Sequence, residues 1–354
     1  MQGKKYFKII ILFTVSFLIL IAGSVLIIDP YFHYHKPLKF LSYCLNNQEQ
    51  RYINDGIGRY FEYDSIITGT SMTENFKSTL FDKLFNSNSI KVPFSGGSYK
   101  EINDNLKRTL KRKKGIKYVL RGLDYGSIIQ NSDKMNYNNL LTYLYDNNSL
   151  NDYKYLFNKV VIIKGLGGVI IYNILGKNTT TFDEYSNWNN RYQAGKENVL
   201  RNYKRNKREN IKEEKLEKKD REIIDKNVEK NVISLVKKYP NTKFIYFITP
   251  YSIVYWDQLK QEGKIEKQIM AEKYMIEKIL EYPNIELYSF FNNYEMICNL
   301  DNYRDPGHYM GKINDKILYW IYKKEYQLTK ENYEEYIRKN LEFYKNYNYD
   351  SIFE

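Results

Sequence analysis

The sequence predicts an α/β protein with a parallel sheet, a helical insertion and one N-terminal membrane-spanning helix. Short apolar runs alternate with helical patterns between residues 29 and 325, which is typical of strand–helix–strand units. An uncharged apolar run precedes this region, at residues 9–28. The chain has 354 residues, of which 43% are hydrophobic, so it can bury a sizeable core.

Residues 9–28 form the first element, with the sequence IIILFTVSFLILIAGSVLII. A helix of this length spans the ~30 Å hydrocarbon core of a bilayer. Lys4, Lys5 and Lys8 precede it, and the positive-inside rule then keeps residues 1–8 in the cytoplasm and places the following chain outside. A cleaved signal peptide is the alternative, but its apolar core is usually about 7 to 15 residues long and ends at a small-residue cleavage site. We therefore expect a retained single-pass anchor.

Five strands are predicted after this anchor, with three helices among them. The strands are near Ser65–Thr68, Ile90–Val92, Tyr118–Arg121, Phe244–Ile248 and Ile285–Tyr288. The helices are near Glu74–Phe85, Tyr99–Lys113 and Ile265–Glu281. Since helical segments separate the strands, we expect the strands to run parallel.

Residues 127–240 interrupt this alternation and are predicted to form a helical insertion in the domain. The insertion contains a second apolar run, Val160–Leu175, which is short, includes Lys164 and carries three glycines, so a buried or surface-docked helix is favoured over a membrane-touching one. A charged stretch over residues 195–230 has the sparse apolar positions of a long solvated helix. Residues 326–354 show helical spacing and are predicted to be a C-terminal helical extension.

The formal net charge is +13, with 55 Lys and Arg against 42 Asp and Glu, which favours anionic partners. No nucleic-acid-binding motif accompanies this charge, so an envelope partner is expected and a nucleic acid is not. Cys44 and Cys298 are the two cysteines, which excludes a disulfide-dense scaffold and leaves either two free thiols or one disulfide.

Ser71 is a candidate nucleophile, in the segment DSIITGTSMTENF after the first predicted strand. Gly69 permits a tight turn, and the free N–H groups at the start of the next helix favour negative charge. Such a place suits a nucleophile whose oxyanion needs stabilisation. Alternatively, Thr70 or Ser71 is only a helix N-cap.

Two later segments complete a candidate site. Gly96 and Gly97 lie between a strand and a helix, where a backbone amide can donate to an oxyanion, although any tight loop of this kind favours glycine. In YRDPGHY, the Pro-Gly turn lets Asp305 orient His308, which can then take a serine proton. Alternatively, His308 is a surface residue at a helix start.

The chain has three histidines, and the other two, His33 and His35, lie beside the membrane segment. A serine enzyme would therefore have His308 as its base. The spacing of His33 and His35 suggests a metal, but no third ligand accompanies them. We expect no metal and no cofactor, and favour an interfacial or site-wall role for this pair.

The order Ser71, then Gly96 or Gly97, then Asp305 and His308 resembles that of the SGNH, or GDSL-like, hydrolase superfamily. The stretches DPYFHYHKP, TGTSMTENF, GLDY, TPYSIVYW and YRDPGHY look like those of its membrane-anchored cell-envelope members. These include the D-alanyl-lipoteichoic acid biosynthesis (DltD) proteins and polysaccharide O-acetyltransferases. The resemblance covers about residues 29–325 and implies a three-layer α/β/α flavodoxin-like sheet.

The resemblance also implies an extracytoplasmic serine esterase or O-acyltransferase that acts on a cell-envelope polysaccharide or teichoic-acid-like polymer. Ser71 would attack the acyl carbonyl, His308 would shuttle the proton, Asp305 would support His308, and the amides of Ser71 and Gly97 would hold the oxyanion. The implied partners are the membrane, an anionic envelope polymer or glycan, and a membrane acyltransferase.

Asp124 departs from the family pattern, because most members have an asparagine donor in a GxND block where this chain reads RGLDYGS. An ionised aspartate accepts hydrogen bonds and cannot donate one to an oxyanion. The departure and the large insertion favour an alternative, a catalytically inactive SGNH-like protein that binds glycan or scaffolds a membrane envelope-assembly complex. Trp256 would then be a sugar platform, unless it is a core residue.

Overall fold

The computed structural model describes residues 2–137, 139–146, 148–201, 203–205 and 211–354. The helices are α1 (Gln2–Ile28), α2 (Gln50–Tyr60), α3 (Ser78–Phe85), α4 (Tyr99–Arg112), α5 (Tyr153–Leu156), α6 (Gly167–Ile174), α7 (Lys196–Arg201), α8 (Lys218–Val228), α9 (Ser234–Lys238), α10 (Ile253–Gln261), α11 (Ile265–Ile279), α12 (Tyr294–Cys298), α13 (Gly311–Tyr322) and α14 (Tyr333–Asn346). The strands are β1 (Ser65–Thr68), β2 (Ser89–Lys91), β3 (Tyr118–Leu123), β4 (Lys243–Ile248), β5 (Ile285–Ser289) and β6 (Gln327–Leu328).

The chain folds into two compact units. The first, here the anchor unit, comprises Met1–Glu62 and Tyr137–Tyr185, and the second, the sheet unit, comprises Tyr63–Asn136 and Ser186–Glu354. The predicted insertion, residues 127–240, is therefore divided: residues 137–185 group with the N-terminal helix, and residues 127–136 and 186–240 group with the sheet.

The sheet unit is built on six strands in the order β2-β1-β3-β4-β5-β6. Strands β1 to β5 run parallel, which confirms the predicted α/β class and parallel sheet, and β6 pairs antiparallel with β5. All five predicted strands are present, with ends within two residues of those expected. β6 is only two residues long and was not predicted, because so short a segment carries no periodic signal.

Side chains pack against both faces of the sheet, which explains why its strands are rich in buried apolar residues. Tyr246 and Phe247 are consecutive residues of β4 and therefore point to opposite faces. On one face the Tyr246 hydroxyl donates a 3.0 Å hydrogen bond to the carbonyl of Val232. On the other, Phe247 packs edge-on against Phe76, with 5.6 Å between ring centroids.

Local sequence explains where the predicted helices begin. The Ser98 hydroxyl accepts from the Glu101 amide, and the Glu101 carboxylate accepts from the Ser98 amide, so α4 begins with a capping box. α3 begins only at Ser78, four residues after the predicted start, because the chain first makes a 3₁₀ turn at Ser71–Thr73.

The prediction of one long helix over residues 195–230 is wrong in the described part of the chain. α7 ends at Arg201, residues 211–217 form no helix, and α8 begins at Lys218, while residues 202 and 206–210 lie outside the described chain. Residues 211–217 run instead along the turn between α10 and α11, where the Glu214 amide donates a 2.7 Å bond to the Gly263 carbonyl. This packing competes with helix formation. Residues 326–354 contain the predicted C-terminal helix as α14, preceded by β6.

The anchor unit contains α1, α2, α5 and α6. The segment Gly3–Ile28 is long and apolar enough to cross a membrane. α1 ends where Asp29 adopts a left-handed conformation with φ +44°. The buried Asp29 carboxylate accepts hydrogen bonds of 2.7 to 2.9 Å from the amides of residues 33–35, so it holds the turn that follows the helix.

Candidate active site

Ser71 and Asp124 follow two neighbouring strands, β1 and β3, at their carboxyl ends. The chain leaves β1 toward β2 on one side and returns to β3 on the other, so the strand order reverses between β1 and β3. Ligands of open parallel sheets bind in the crevice outside this reversal. The candidate residues therefore lie where the sheet topology favours a site.

Gly69 allows the turn that carries Ser71. Its φ is +150°, and a Cβ on Gly69 would lie 2.5 Å from Cγ2 of Thr73. Gly122 of β3 makes room for the same threonine, because a Cβ there would lie 2.9 Å from that methyl group. A larger residue at either position would displace the turn.

Thr70, and not Ser71, is the N-cap of the 3₁₀ turn Ser71–Thr73, since its hydroxyl accepts from the amide of Met72. The Ser71 hydroxyl instead lies 2.7 Å from Nε2 of His308. The alternative in which Ser71 is only a cap therefore does not describe the structure. The Ser71 backbone amide donates no hydrogen bond to any described residue, so it faces no competing acceptor there.

Asp305 lies on the other side of the His308 ring. Both carboxylate oxygens of Asp305 are 2.9 Å from Nδ1. A carboxylate only accepts, so Nδ1 carries the proton and Nε2 is left to accept from the Ser71 hydroxyl. Oδ1 also accepts from the backbone amides of Gly307 at 3.0 Å and His308 at 2.8 Å, which fixes the Asp-Pro-Gly-His turn. The structure thus brings Ser71, His308 and Asp305 together.

The pKa of Asp305 is lower than its usual value. Partial burial alone would raise it, but hydrogen bonds and charge attraction from His308, the His308 amide and Arg304 outweigh that effect. Asp305 therefore stays ionised near neutral pH. His308 is 27% exposed, so the site is reachable from solvent.

Contacts beyond the triad fix the loop that carries His308. Tyr303 and Tyr309 form an isolated antiparallel bridge across the turn. The Tyr309 hydroxyl and the side-chain amide of Asn314 both donate to the Met72 carbonyl, each at 3.0 Å. Because Met72 follows Ser71 and Tyr309 follows His308, these bonds hold Ser71 and His308 at a fixed separation.

Trp188 and Arg304 are site residues that the sequence analysis missed. Nε1 of Trp188 donates a 3.3 Å bond to the Ser71 carbonyl, and its ring lies edge-on to that of His308. Nε of Arg304 donates a 2.9 Å bond to Asp305. The Arg304 guanidinium lies over the rings of both Trp188 and Tyr192, 4.3 and 4.2 Å from their centroids. Arg304 directly precedes Asp305 and could have been noticed, whereas Trp188 lies in the predicted insertion and carried no signal.

Asp124 accepts from two hydroxyl groups. Thr70 donates to Oδ2 at 3.0 Å, and Tyr251 donates to Oδ1. Burial and the negative charge of Asp124 raise the pKa of Tyr251 well above its usual value, which keeps the Tyr251 proton available for this bond. Asp124 therefore acts as an acceptor that holds Thr70, the residue before Ser71. It does not act as an oxyanion donor.

Gly96 and Gly97 lie in the loop before α4, but the Gly97 amide is paired within its own turn. It donates a 2.7 Å bond to the Phe94 carbonyl, so it is not free to donate to an oxyanion. A Cβ on Gly97 would lie 2.7 Å from Cβ of Phe94, and Gly96 has φ +60°, so both glycines are explained by the turn itself. The Gly96 carbonyl accepts from the side-chain amide of Asn136 at 2.6 Å.

Trp256 is fully buried and stacks on Tyr344 with 3.7 Å between ring centroids, so it is a core residue and not a sugar platform.

In the anchor unit, Nε2 of His33 contacts the Asp152 carboxylate at 3.1 Å. Nε2 of His35 lies 3.2 Å from the carbonyls of Leu26 and Ile27, at the end of α1. Both histidines thus have structural partners.

Cys44 and Cys298 are free thiols. Among the described residues, no group of three or more His, Cys, Asp or Glu side chains is arranged to hold a metal ion. Comparisons with protein-family models, curated proteins and solved structures find no match to this chain.

Proposed function

We propose that this chain is a membrane-anchored serine esterase or O-acyltransferase of the SGNH type. The observation that carries the proposal is the relay in which Ser71 Oγ lies 2.7 Å from Nε2 of His308 and Asp305 lies 2.9 Å from Nδ1 of the same ring. Nucleophile, base and orienting carboxylate are the three parts of a serine triad. The parallel strand order β2-β1-β3-β4-β5 supports the family assignment, because it is the order of flavodoxin-like sheets.

In the proposed reaction, Ser71 Oγ attacks the acyl carbonyl carbon while its proton passes to Nε2 of His308. Asp305 stabilises the positive charge that forms on the ring. When the tetrahedral intermediate collapses, the bond to the leaving alcohol breaks, and this alcohol takes the proton from Nε2. A water or sugar hydroxyl then gives its proton to Nε2 of His308 and attacks the carbonyl carbon of the acyl-Ser71 ester. When this second intermediate collapses, the bond to Ser71 Oγ breaks, Oγ takes the proton back from Nε2, and the acyl group leaves as an acid or as a new ester.

In this reaction the backbone amide of Ser71, which donates to no described residue, can donate to the oxyanion. The Gly97 amide would have to release Phe94 to supply a second donor. This difference favours the alternative function, a catalytically inactive SGNH-like protein that binds glycan or scaffolds an envelope-assembly complex. Catalysis is the better-supported function, because a binding protein has no need of an aligned Ser-His-Asp relay.

An acylated envelope polymer is the proposed substrate. Lys4, Lys5 and Lys8 before the apolar helix favour an orientation that places the sheet unit outside the cytoplasm. The net charge of +13 favours an anionic polymer, and the resemblance to envelope acyltransferases supplies the ester linkage and a membrane acyltransferase as partner. Arg304 lies over Trp188 and Tyr192 beside Asp305, and adds a cationic and aromatic wall suited to such a polymer.

Covalent labelling tests the proposal. The purified full-length protein is treated with a fluorophosphonate, which reacts with activated serines. We expect labelling of the wild type and its loss in both Ser71→Ala and His308→Ala. Ser78→Ala is the matched control, because its buried hydroxyl hydrogen-bonds to no described residue, and it should label normally. A folded wild type that remains unlabelled would favour the binding function.

A further inference from the structure

A row of exposed aliphatic residues lies on one side of the helical segment Val160–Ile174 in the anchor unit. The segment begins as a π-helix at Val160–Leu166 and continues as α6. We call its outer side the aliphatic face, which consists of Ile163, Ile170, Ile171, Ile174 and Leu175, each between 46% and 78% exposed. From Ile163 to Leu175, consecutive members of this row are seven, one, three and one residues apart. These intervals place them on one side of a helix.

The opposite side of this segment packs on the protein. Val161, Leu166 and Val169 are buried in the anchor unit. A Cβ on Gly165 would lie 3.0 Å from side-chain atoms of Pro30 and Tyr31, the residues just beyond α1. The helix is therefore apolar on both sides, and one side has no protein cover among the described residues. Soluble helices keep their outer side polar, whereas lipid-facing helices do not.

We propose that the aliphatic face is seated in the outer surface of the lipid bilayer, beside the point where α1 leaves it. This inference rests on the proposed membrane anchoring by α1. The close approach of Gly165 to Pro30 and Tyr31 fixes the segment at the end of the apolar helix, so the aliphatic face continues an already lipid-exposed surface.

Charges around the face fit an interfacial position. Lys159 and Lys177 are exposed near the two ends of the aliphatic row, where they can reach phosphate headgroups. The lysine inside the row, Lys164, is paired, because its Nζ lies 3.0 Å from Glu49 and 2.8 Å from Gln48. No unpaired charge therefore opposes burial of the row in lipid.

The segment lies along the membrane and does not cross it. Val160–Ile174 measures roughly 22 Å at 1.5 Å per residue, which is less than the ~30 Å hydrocarbon core. The preceding helical stretch, Ser149–Leu156, meets it at an angle of 62°, so the two do not form one straight span. A segment that lies just below the membrane surface, with its axis parallel to that surface, agrees with both its length and this angle.

Site-directed fluorescence tests the position. Single cysteines are placed at Ile171 and Ile174 of the full-length chain, with Cys44 and Cys298 replaced by serine, and each is labelled with an environment-sensitive fluorophore. The protein is reconstituted in vesicles of phosphatidylcholine and phosphatidylglycerol. Ile19 in α1 serves as the lipid control and the exposed Lys330 as the water control. Quenching is measured with lipids that carry a quencher near the headgroup or near the chain end, and with a water-soluble quencher.

We expect labels at 171 and 174 to be quenched several-fold more by the headgroup-proximal lipid than the label at 330, and less by the water-soluble agent. Equal aqueous quenching at 171, 174 and 330 would overturn the inference. Protection from every quencher would overturn it too, because a protein partner would then cover the face. Strongest quenching by the chain-end lipid would indicate a spanning segment instead. Absence of lipid quenching at Ile19 would reject the anchoring itself, which separates the two failures.

Discussion

The Thr70 hydroxyl donates a 3.0 Å hydrogen bond to the Asp124 carboxylate, and this bond joins the carboxyl ends of β1 and β3. The position where the resemblance would place an asparagine donor is thus occupied by an acceptor that holds the turn of Ser71. Tyr251 donates to the other carboxylate oxygen, so both oxygens are used. Asp124 therefore positions Ser71 through Thr70 and does not contact the reacting atoms.

A double-mutant cycle tests this positioning role. Thr70→Val and Asp124→Asn each weaken the same hydrogen bond to a charged group, so their effects on the free energy of unfolding should couple by about 1 to 2 kcal/mol. Each variant should also slow fluorophosphonate labelling. As a control, Thr242→Val removes a hydroxyl that donates to the Ile116 carbonyl elsewhere in the sheet unit, and it should be additive with Asp124→Asn. Additive effects of Thr70→Val and Asp124→Asn would show that the bond has no structural role.

Protease accessibility tests the orientation of the chain. Lys4, Lys5 and Lys8 precede the apolar helix, so protease added outside intact cells should degrade the sheet unit and leave α1 protected. Replacing the three lysines with glutamate should reduce this degradation, because it removes the positive charge that favours the cytoplasmic side. Complete protection of the sheet unit in the wild type would reject the proposed compartment.

The strands and the Asp305–His308 contact could be predicted because their signals are local. Each strand is a short apolar run between helices, and the Asp305–His308 pair is contained within one turn. The pairing of the Gly97 amide could not be predicted, because glycines before a helix look the same whether their amides are free or bonded. Trp188 could not be predicted either, since its contact with Ser71 joins positions 117 residues apart.

The prediction of one helix over residues 195–230 was wrong for a related reason. Sparse apolar residues among charges are compatible with a solvated helix, and only the contact of residues 211–217 with the turn at Gly263 selects an irregular path. Such tertiary contacts override helix propensity, which amounts to less than about 1 kcal/mol per residue. The segment Val160–Ile174 was likewise visible in the sequence as an apolar run, but which side of this helical segment is exposed depends on how it packs in the fold.

Glu272 should make stability depend on pH. It is fully buried, and burial raises its pKa to about 7, although the Tyr336 and Ser289 hydroxyls that donate to it oppose this rise. Its folded pKa thus exceeds its unfolded value of 4.5, so the folded state favours the protonated form. The contribution of protonated Glu272 to the free energy of unfolding is fully present below pH 4.5 and is lost as the pH rises through about 7.

We therefore expect Glu272→Gln to unfold at the same temperature as the wild type near pH 4.5 and at a higher temperature at pH 8. The gain at pH 8 should be on the order of 1 to 3 kcal/mol. Glu286→Gln is a control of opposite sign, because Lys243 and Lys324 outweigh partial burial and lower the pKa of Glu286. It should destabilise the protein at pH 8. An equal thermal midpoint for wild type and Glu272→Gln at both pH values would contradict the prediction.

The variant Asp305→Asn distinguishes an effect of Asp305 on the reactivity of Ser71 from an effect on the stability of the fold. An asparagine can donate to Nδ1, which favours the tautomer with the proton on Nε2 and leaves no acceptor for the Ser71 proton. Fluorophosphonate labelling of Ser71 should then slow by roughly 10³- to 10⁴-fold while the fold is retained. Asp301→Asn, at an exposed carboxylate of the same loop, should label at the wild-type rate.

The pH dependence of unfolding gives a second measurement on the same variant. The folded pKa of Asp305 is depressed, so its stabilising effect is present above its unfolded pKa of 3.8 and is lost as the pH falls through the folded value. Asp305→Asn should therefore unfold at a lower temperature than the wild type at pH 7, and the difference should shrink below pH 3.8. If the variant shows this stability pattern but labels at the wild-type rate, Asp305 has a structural role only and takes no part in the reaction. Loss of labelling together with the stability pattern is the outcome expected of a carboxylate that both fixes its turn and orients His308.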